Sequence, residues 1–436
     1  FFLIIAAVFL LKSFQLQVVA GPKLSLLAYE NTFKEIPLLP NRGVIYDRNL
    51  VQLVANSPSF DLVCDKREMP LGKAGKEAIL RKVSKFSKEN FEELRRAFNA
   101  SPGSQALLLA DIPHETLVVL EANKGDFEGC EIQENARREY PKGNAFSHLI
   151  GYTAKVSKEE LETLGGYSVA DQIGKEGVEK SYESFLRGTP GKRILQKDAS
   201  GAVVGEAQEI PPADAKNAVL FADAGLQEEI VRQVKEVFYQ TGTKKAAAVA
   251  LDPQTGGILA LVSFPSFDAT AFSSGLSSKE WQTLLKNPSD PLFNRAISGL
   301  GFPTGSVIKP FMGVAALQEG IITKDTVLFA PLELCVPNIY TKQDECFADW
   351  KFHGNSDVKR AIAESVNPFF YIIGGGHKGF KGLGPERIKQ YLELFGWGRQ
   401  TGIDLVGEGS GILPVIDKNW RLGDTYHLSI GQGPFA

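Results

Sequence analysis

The sequence has few cysteines and no excess of one charge, and each absence excludes a class of protein. It also contains no internal repeat. Four cysteines in 436 residues are too few for a fold built on disulfides, and the lack of a C-x-x-C pair argues against a redox site or a zinc ribbon. The formal net charge is −3 with scattered Lys and Arg residues, so the basic surface of a nucleic-acid-binding protein is absent. A globular protein of about two or three domains is expected at this length.

A long hydrophobic run occurs at the start of the chain. The segment FFLIIAAVFLL precedes Lys12 without a charged residue or an initiator Met. A membrane span needs roughly 20 apolar residues, whereas the core of a signal peptide needs about 7–15. Since no A-x-A cleavage site follows, the run predicts an uncleaved membrane anchor over residues 1–20, cut at its start, rather than a removed signal peptide.

The next part of the chain has the pattern of a β-rich region with a helical insert. Apolar residues alternate over Val51–Cys64, which predicts paired strands interrupted at Asn56-Ser57-Pro58. A helical period with many Lys and Glu residues replaces this pattern at about 70–125 and predicts a solvated insert. Pro211 and Pro212 indicate a linker, so the first folded region is predicted to be 21–213 and the second 214–436.

The second region has the pattern of an α+β domain. Two apolar runs flank Pro253-Gln254-Thr255-Gly256-Gly257, which predicts an antiparallel hairpin. Helices are predicted around 307–320, 357–373 and 385–396. A hairpin followed by helices is typical of an antiparallel sheet packed against helices.

The motif Ser306-Val307-Ile308-Lys309 has the spacing of a nucleophile and its base. Pro303 and Gly305 predict a tight turn, and an apolar-faced helix follows, so Ser306 is expected at a helix N-terminus, where N–H groups favour negative charge. Residues three apart share a helix face, which allows the Lys309 amine to reach the Ser306 oxygen. Burial shifts a lysine towards its neutral form, which can accept a proton.

Ser-x-x-Lys alone is a weak signal, and a second motif adds weight to it. Ser356-Asp357-Val358-Lys359 has the same spacing, but Ser356 is expected to be a helix N-cap. The triplet Ser365-Val366-Asn367 offers a hydroxyl that can relay a proton and an amide that can hold lysine and substrate. Similar triplets at Ser59 and Ser266 are interpreted as turn caps, which shows that the triplet alone is common by chance. The occurrence of both motifs in this order is therefore what indicates a serine enzyme.

With these motifs the chain resembles the class B penicillin-binding proteins, and among them the elongation type. NRGVIYDRN resembles a segment of the family's N-terminal region, with Arg42, Gly43, Asp47 and Arg48 as its motif residues. LDPQTGGILALVSFPSFD and GDTYHLSIGQG resemble stretches of the transpeptidase domain. The resemblance implies an α+β transpeptidase fold, an antiparallel sheet with helices, behind an elongated β-rich pedestal over 21–213 that contains the helical insert.

The resemblance also implies a reaction, a peptidoglycan D,D-transpeptidation in cell-wall elongation that β-lactams block. Ser306 would attack the penultimate D-Ala carbonyl of a stem pentapeptide, and Lys309 would take its proton. Ser365 would pass a proton to the leaving amine, and Asn367 would position the peptide amide. Further substrate contacts are expected from Gly305, Gln432 and Gly433.

Partners and location follow from the same resemblance. The expected partners are peptidoglycan stem peptides, β-lactams, a SEDS-family glycan polymerase and proteins of the elongation complex, with no nucleic acid. The expected location is the bacterial cytoplasmic membrane, with a single span and the catalytic domain outside the cytoplasm.

The family's third motif, K-T-G on a sheet-edge strand, is not present in this sequence. The chain stops at SIGQGPFA, before the family would reach that strand. We therefore expect a fragment cut at both ends, with an incomplete sheet.

Four residues between the two catalytic motifs form a candidate zinc site, although the reaction itself requires no cofactor. Cys335, Cys346, Asp349 and His353 have ligand types and short spacings suited to zinc. Some members of the family hold zinc in this part of the domain, but Val366 stands where they can place a ligand cysteine. A Cys335–Cys346 disulfide is an equal alternative in an oxidising compartment, and free buried thiols are the third.

Two other functions compete with the enzyme. One is a β-lactam sensor, which has the same Ser-x-x-Lys chemistry, but a soluble sensor domain would lack the pedestal motifs. The other is a non-catalytic pedestal scaffold that holds a SEDS-family polymerase in place.

Overall fold

The computed structural model of the chain describes residues 2–198, 203–298, 302–337 and 342–433. The chain divides into two compact units, Phe1–Leu292 and Phe293–Ala436. The domain boundary predicted at 213/214 lies inside the first unit, and that boundary stays a prediction.

The first unit starts with the predicted hydrophobic helix. Phe2–Val19 forms an exposed helical segment of 18 residues that is long and apolar enough to cross a membrane. The elements of this part are α1 (Phe2–Phe14), a π-helical turn (Gln15–Val19), α2 (Gly21–Thr32), β1 (Phe33–Leu38), β2 (Ile45–Tyr46) and β3 (Gln52–Asp65).

The strand β3 runs through Asn56-Ser57-Pro58, so the predicted break into two strands is wrong. Pro58 lies opposite Ala136 in an antiparallel ladder with the strand that follows the insert. Among the described strands, β3 has a neighbour on one side only between Ala55 and Asp61. A proline is tolerated at such an edge because its missing N–H leaves no partner unsatisfied.

The helical insert is confirmed, with one strand that the sequence pattern did not predict. Its elements are α3 (Lys73–Ser87), α4 (Phe91–Ala100), β4 (Gln105–Leu109), α5 (His114–Ala122) and a 3-10 turn (Lys124–Asp126), followed by β5 (Cys130–Glu139). The insert packs around a hydrophobic core of its own that includes Leu80, Val83 and Leu94. A Cys64–Cys130 disulfide joins β3 to β5 where the insert begins and ends.

Short helices and strands follow β5. They are α6 (Gly143–Ile150), β6 (Thr153–Lys155), α7 (Lys158–Thr163), β7 (Gln172–Gly174), α8 (Gly177–Ser181), α9 (Glu183–Leu186), β8 (Gly191–Lys197), β9 (Val203–Ile210), β10 (Ala218–Val219) and α10 (Ala224–Thr241). The sheets are ordered β1-β8-β9 and β10-β2-β3-β4, with β5 also paired to β3 and β6 paired to β7.

The predicted hairpin is confirmed at the end of the first unit. The strands β11 (Ala246–Leu251) and β12 (Ile258–Phe264) pair antiparallel around Pro253–Gly257, and α11 (Ala269–Ser274) and α12 (Ser278–Leu285) follow them. The amide side chain of Gln227 on α10 bonds Leu261 of β12 through both its nitrogen and its oxygen.

The second unit is mostly helical around one core. It contains a 3-10 turn (Gly305–Ile308), α13 (Lys309–Gln318), β13 (Leu328–Ala330), β14 (Glu333–Pro337), β15 (Asp344–Ala348), β16 (Gly354–Ser356), α14 (Val358–Ala363), α15 (Asn367–Gly375), α16 (Pro385–Leu394) and α17 (Leu422–Ser429). The strands pair as the ladders β13-β16 and β14-β15.

The helix α15 occupies the centre of this core. Phe369, Phe370 and Ile373 have no exposed surface, and a helix that is apolar on all sides belongs in an interior. Each such side chain contributes roughly 1.5–3 kcal/mol through burial. The rigid interior fixes the position of the helix N-terminus, where Asn367 lies.

Two predictions for this unit need correction. The helix expected over 357–373 is two helices, because Ser365 adopts a left-handed conformation (φ 53°) and a new helix starts at Asn367, with Pro368 in its first turn. Ser356 is not the cap of α14. It ends β16, and the Asp357 carboxylate accepts the bond from the Arg360 N–H instead.

Candidate active site

Ser306 lies in the 3-10 turn that leads into α13, and its side chain is exposed. Gly305 precedes it in a left-handed conformation (φ 58°), which a glycine adopts without strain. Ile308 and Lys309, on the other side of the turn, are buried. The turn therefore places the Ser306 hydroxyl at the surface and the lysine stem in the core.

Lys309 is 1% exposed and contacts the Ser365-Val366-Asn367 triplet. Its Nζ donates hydrogen bonds to Ser365 O (2.8 Å), Ser365 Oγ (3.0 Å) and Asn367 Oδ1 (2.5 Å). It also lies 5.5 Å from the centre of the Phe370 ring. The two motifs, predicted separately from the sequence, meet at this amine.

Ser365 stands between the lysine and the exposed serine. Its hydroxyl donates a hydrogen bond to Ser306 Oγ over 3.0 Å. Hydrogen bonds therefore connect Lys309 to Ser365 and Ser365 to Ser306. Within the described residues, no hydrogen bond joins Lys309 directly to Ser306. The direct contact expected from the spacing of three is therefore replaced by a contact through a second hydroxyl.

The pKa of Lys309 is lowered to about 8. Burial is the main cause, since desolvation penalises the charged amine, while the nearby Asp349 carboxylate acts in the opposite direction. At pH 7 about a tenth of this lysine is therefore neutral, compared with well under a thousandth for a lysine of ordinary pKa. A neutral amine that is linked to a serine hydroxyl can act as a general base.

A glycine contact closes the other side of the turn. The N–H of Gly305 donates to Gly431 O over 2.8 Å, and a Cβ added at Gly431 would lie 1.9 Å from Gly305 O. Gln432 and Gly433, the predicted substrate contacts, follow Gly431 and are exposed. Gly431 was not predicted as a site residue from the sequence.

The candidate zinc residues form two separate pairs. Cys335 and Cys346 lie opposite each other on β14 and β15 and form a disulfide, while His353 Nε2 lies 3.4 Å from Asp349 Oδ2. Among the described residues, the close group of metal-ligand types is Glu333, Cys335 and Cys346, which leaves out Asp349 and His353. As paired here, the cysteines offer no thiolate, so these four residues do not fit zinc. Zinc binding, the alternative to this disulfide, stays a prediction that elemental analysis of protein purified without chelator checks.

The first pedestal residue, Arg42, belongs to a buried network of charges. It pairs with Glu179 and Glu183, each at 2.7 Å, and Arg138 pairs with the other oxygen of Glu179 at 2.7 Å. Burial alone would lower the pKa of Arg42, but the two carboxylates outweigh it and the net pKa is raised. Breaking such a pair would leave a buried charge without compensation.

The other motif residues shape the backbone at the same place. A Cβ at Gly43 would lie 2.0 Å from Lys216 O, so only glycine fits there. The buried Asp47 carboxylate accepts from the Asn49, Val51 and Ala224 N–H groups. The backbone N–H of Arg48 donates to Ala222 O over 2.9 Å. These contacts join the motif to the start of α10, within the first unit.

Several residues of these networks were not predicted from the sequence. Arg138 and Glu179 lie 41 residues apart in the sequence, and only the fold shows that they are buried as a pair. The Cys64–Cys130 disulfide had a usable signal, because Cys64 ends the alternating strand and Cys130 follows the insert.

Family models cover most of this chain. The model of the penicillin-binding protein dimerisation domain matches residues 37–220, and that of the penicillin binding protein transpeptidase domain matches residues 246–435. The peptidoglycan D,D-transpeptidase MrdA of Escherichia coli K12 is 32% identical over 447 residues, which cover 99% of this chain and 68% of MrdA. The MrdA protein of Salmonella typhimurium SL1344 is 34% identical over 423 residues, 93% of this chain and 64% of that protein.

A solved structure of a penicillin-binding protein is also similar to this chain. The complex between penicillin-binding protein 2 and MreC from Helicobacter pylori matches with a TM-score of 0.78 and 28% identity, over 92% of this chain and 74% of the solved one.

Proposed function

This chain belongs to the penicillin-binding proteins, in the group of the MrdA transpeptidases, and we propose that Ser306 is its catalytic nucleophile. It is a serine-type peptidoglycan D,D-transpeptidase of cell-wall elongation, with an N-terminal dimerisation domain and a C-terminal transpeptidase domain. This membership favours the enzyme over a β-lactam sensor or a non-catalytic scaffold.

The observation that carries the proposal is the hydrogen-bonded path from Lys309 through Ser365 to Ser306. An exposed hydroxyl is available to a substrate, while a buried amine with a lowered pKa can receive its proton. In acylation, Ser306 Oγ bonds to the penultimate D-Ala carbonyl carbon, and the bond to the nitrogen of the terminal D-Ala breaks. The serine proton moves through Ser365 to Lys309, and a proton returns by Ser365 to the leaving amine.

The second half of the reaction resolves the acyl-enzyme. An acceptor amine of a neighbouring stem peptide attacks the ester carbonyl and gives up a proton as the amide forms, and Ser306 Oγ leaves and takes up a proton. β-Lactams acylate the same oxygen when their ring amide bond opens. Asn367 would hold the peptide amide of the substrate, and Gly305, Gln432 and Gly433 would line the place where it binds.

The location we propose is the cytoplasmic membrane, with the anchor at 1–20 and the catalytic domain outside the cytoplasm. The apolar N-terminal helix and the MrdA relatives support a membrane-anchored protein. All four cysteines are paired, Cys64 with Cys130 and Cys335 with Cys346. Disulfides persist in oxidising compartments, which supports the proposed orientation.

Partners of the elongation machinery are the remaining part of the proposal. The Helicobacter pylori relative was solved in complex with MreC, and we propose that the pedestal of this chain binds a protein of the same kind. A SEDS-family glycan polymerase is proposed as a second partner. Arg42, Gly43, Asp47 and Arg48 would act here by keeping the pedestal folded.

The proposed nucleophile is tested by release of D-alanine from a pentapeptide by the full-length protein. Ser306→Ala is expected to abolish the release, while Ser356→Ala, which changes the serine of the second Ser-x-x-Lys, should retain it. Release by Ser306→Ala at the unmodified rate would overturn the assignment. Rescue of elongation by Ser306→Ala would favour the non-catalytic scaffold instead.

A further inference from the structure

The N-terminus of α15 is capped by a residue that is distant in the sequence. The first N–H groups of a helix have no partner within it, and the N-cap residue Val366 has no side-chain acceptor. The Asp349 carboxylate, 18 residues earlier in the chain, accepts the hydrogen bond of the Asn367 N–H over 3.2 Å. Asp349 therefore supplies the cap that Val366 lacks.

The Asp349 carboxylate is fully buried and held from several sides. Its side chain has 0% exposed surface, and Oδ1 accepts from the Trp350 N–H over 2.8 Å. The Asp349 backbone N–H donates to Leu332 O over 2.8 Å, and His353 Nε2 lies 3.4 Å from Oδ2. Burial of a carboxylate is costly without such contacts, so its place behind the active site indicates a specific role.

His353 extends this arrangement to the surface. Its ring is buried, and its Nδ1 lies 3.0 Å from Oε2 of Glu364, the residue that precedes Ser365. Glu364 also pairs with Arg360 (2.9 Å) and Lys351 (3.3 Å). The imidazole thus packs between a carboxylate that caps α15 and one that adjoins the catalytic triplet.

We propose that Asp349 is a positioning residue of the acyl transfer, because it fixes the backbone of Asn367 and thereby the amide oxygen that holds Lys309. The contact chain runs from Asp349 to the Asn367 N–H, and from Asn367 Oδ1 to Lys309 Nζ. This inference rests on the roles proposed above for Ser306, Lys309 and Asn367. A shift of about 1 Å in a positioning group can slow a reaction roughly 100-fold.

The test is the second-order rate constant of acylation by benzylpenicillin in the full-length protein. Asp349→Ala is expected to lower it by roughly 10- to 100-fold. Asp349→Asn keeps a cap acceptor, and the expected loss is less than about fivefold. Asp268→Ala, which removes the carboxylate cap of α11 in the other unit, serves as the matched control and should leave the rate unchanged.

A double-mutant cycle separates positioning from a general loss of stability. If Asp349 acts through Asn367, the variant with both Asp349→Ala and Asn367→Ala should be no slower than Asn367→Ala alone. Additive losses would overturn the inference. If Asp349→Ala fails to fold, the same cycle is run with Asp349→Asn, whose loss should vanish in the Asn367→Ala background.

A chelator distinguishes the cap from a metal ligand. The inference predicts that acylation of the unmodified protein is unaffected by chelator, and a loss as large as that of Asp349→Ala would overturn it. Failure of the proposed function is recognised separately, because Ser306→Ala would then still be acylated or the unmodified protein would not be acylated at all. Loss of acylation in Ser306→Ala together with an unchanged rate in Asp349→Ala would remove this inference alone.

Discussion

The hydroxyl oxygens of Ser306 and Ser365 lie 3.0 Å apart, although 59 residues separate them in the chain. Ser306 is on an exposed turn before α13, and Ser365 is at the left-handed break between α14 and α15. Packing of α13 against α15 in the core brings the two together. The contact provides a proton path from a surface nucleophile to the buried Lys309 amine.

Removal of the intermediate hydroxyl should slow acylation without unfolding the protein. Ser365→Ala is expected to lower the rate of acylation by benzylpenicillin by about 10²–10⁴-fold, the usual contribution of a positioned proton-transfer group. Stopped-flow measurement of the acyl adduct gives the rate, and Ser356→Ala is the control. A Ser365→Ala variant that reacts at the unmodified rate would show that Lys309 takes the proton directly.

The acylation rate should rise with pH and level off above the pKa of Lys309. Burial lowers this pKa to about 8, and a general base acts in its deprotonated form. The rate at pH 7 is therefore expected to be roughly a tenth of the plateau value. A pH profile of the benzylpenicillin reaction checks this. A rate that is flat or falls between about pH 7 and 9 would contradict a base with this pKa.

The close approach of Gly431 to Gly305 should be essential for the shape of the nucleophile turn. Gly431→Ala would place a Cβ 1.9 Å from Gly305 O, so the turn must move and acylation should slow. Gly402→Ala is the matched control, because Gly402 also has a positive φ (84°) but nothing within 4 Å of its added Cβ. The positive φ alone costs each variant roughly 1–2 kcal/mol of stability, and the backbone overlap adds a further loss in Gly431→Ala only. Equal acylation rates in the two variants would refute a role for the contact.

The two disulfides should differ in their effect on stability. Cys64 and Cys130 are 66 residues apart, and Cys335 and Cys346 are 11 apart. Loop-closure entropy predicts that the first disulfide stabilises the folded protein by about 4 kcal/mol and the second by about 3 kcal/mol. Replacement of each pair by Ser, followed by denaturant unfolding, checks the order. A larger loss from the Cys335–Cys346 pair would contradict it. Thiol titration of the unreduced protein should find no free thiol.

Features set by local periodicity could be predicted from the sequence. The hairpin around Pro253–Gly257, the helical insert and the helix after Ser306 all follow from apolar spacing and turn residues. The catalytic motifs are also local, since Ser306 and Lys309 share one turn and Ser365 precedes Asn367 by two residues. The contact between the two motifs depends on the tertiary fold, although the order of the motifs in the sequence indicated that they act together.

Features set by distant contacts could not be predicted in this way. Pro58 is tolerated within β3 because, among the described strands, β3 is paired on one side only at that point. Ser365 interrupts the helix that the apolar residues around it would favour. Arg138 and Glu179 become a buried pair only when β5 and α8 meet. The same holds for Asp349, whose part in capping α15 depends on the path of the chain after β15.

The most direct test of the central claim is the intact mass of the chain before and after incubation with benzylpenicillin, followed by peptide mapping of the adduct. In the full-length protein we expect one acyl group, located on the peptide that contains Ser306, and no adduct on Ser306→Ala. An adduct at another residue, or one that persists in Ser306→Ala, would contradict the assignment of Ser306 as the activated nucleophile. Absence of any adduct in the full-length protein would contradict the transpeptidase mechanism itself.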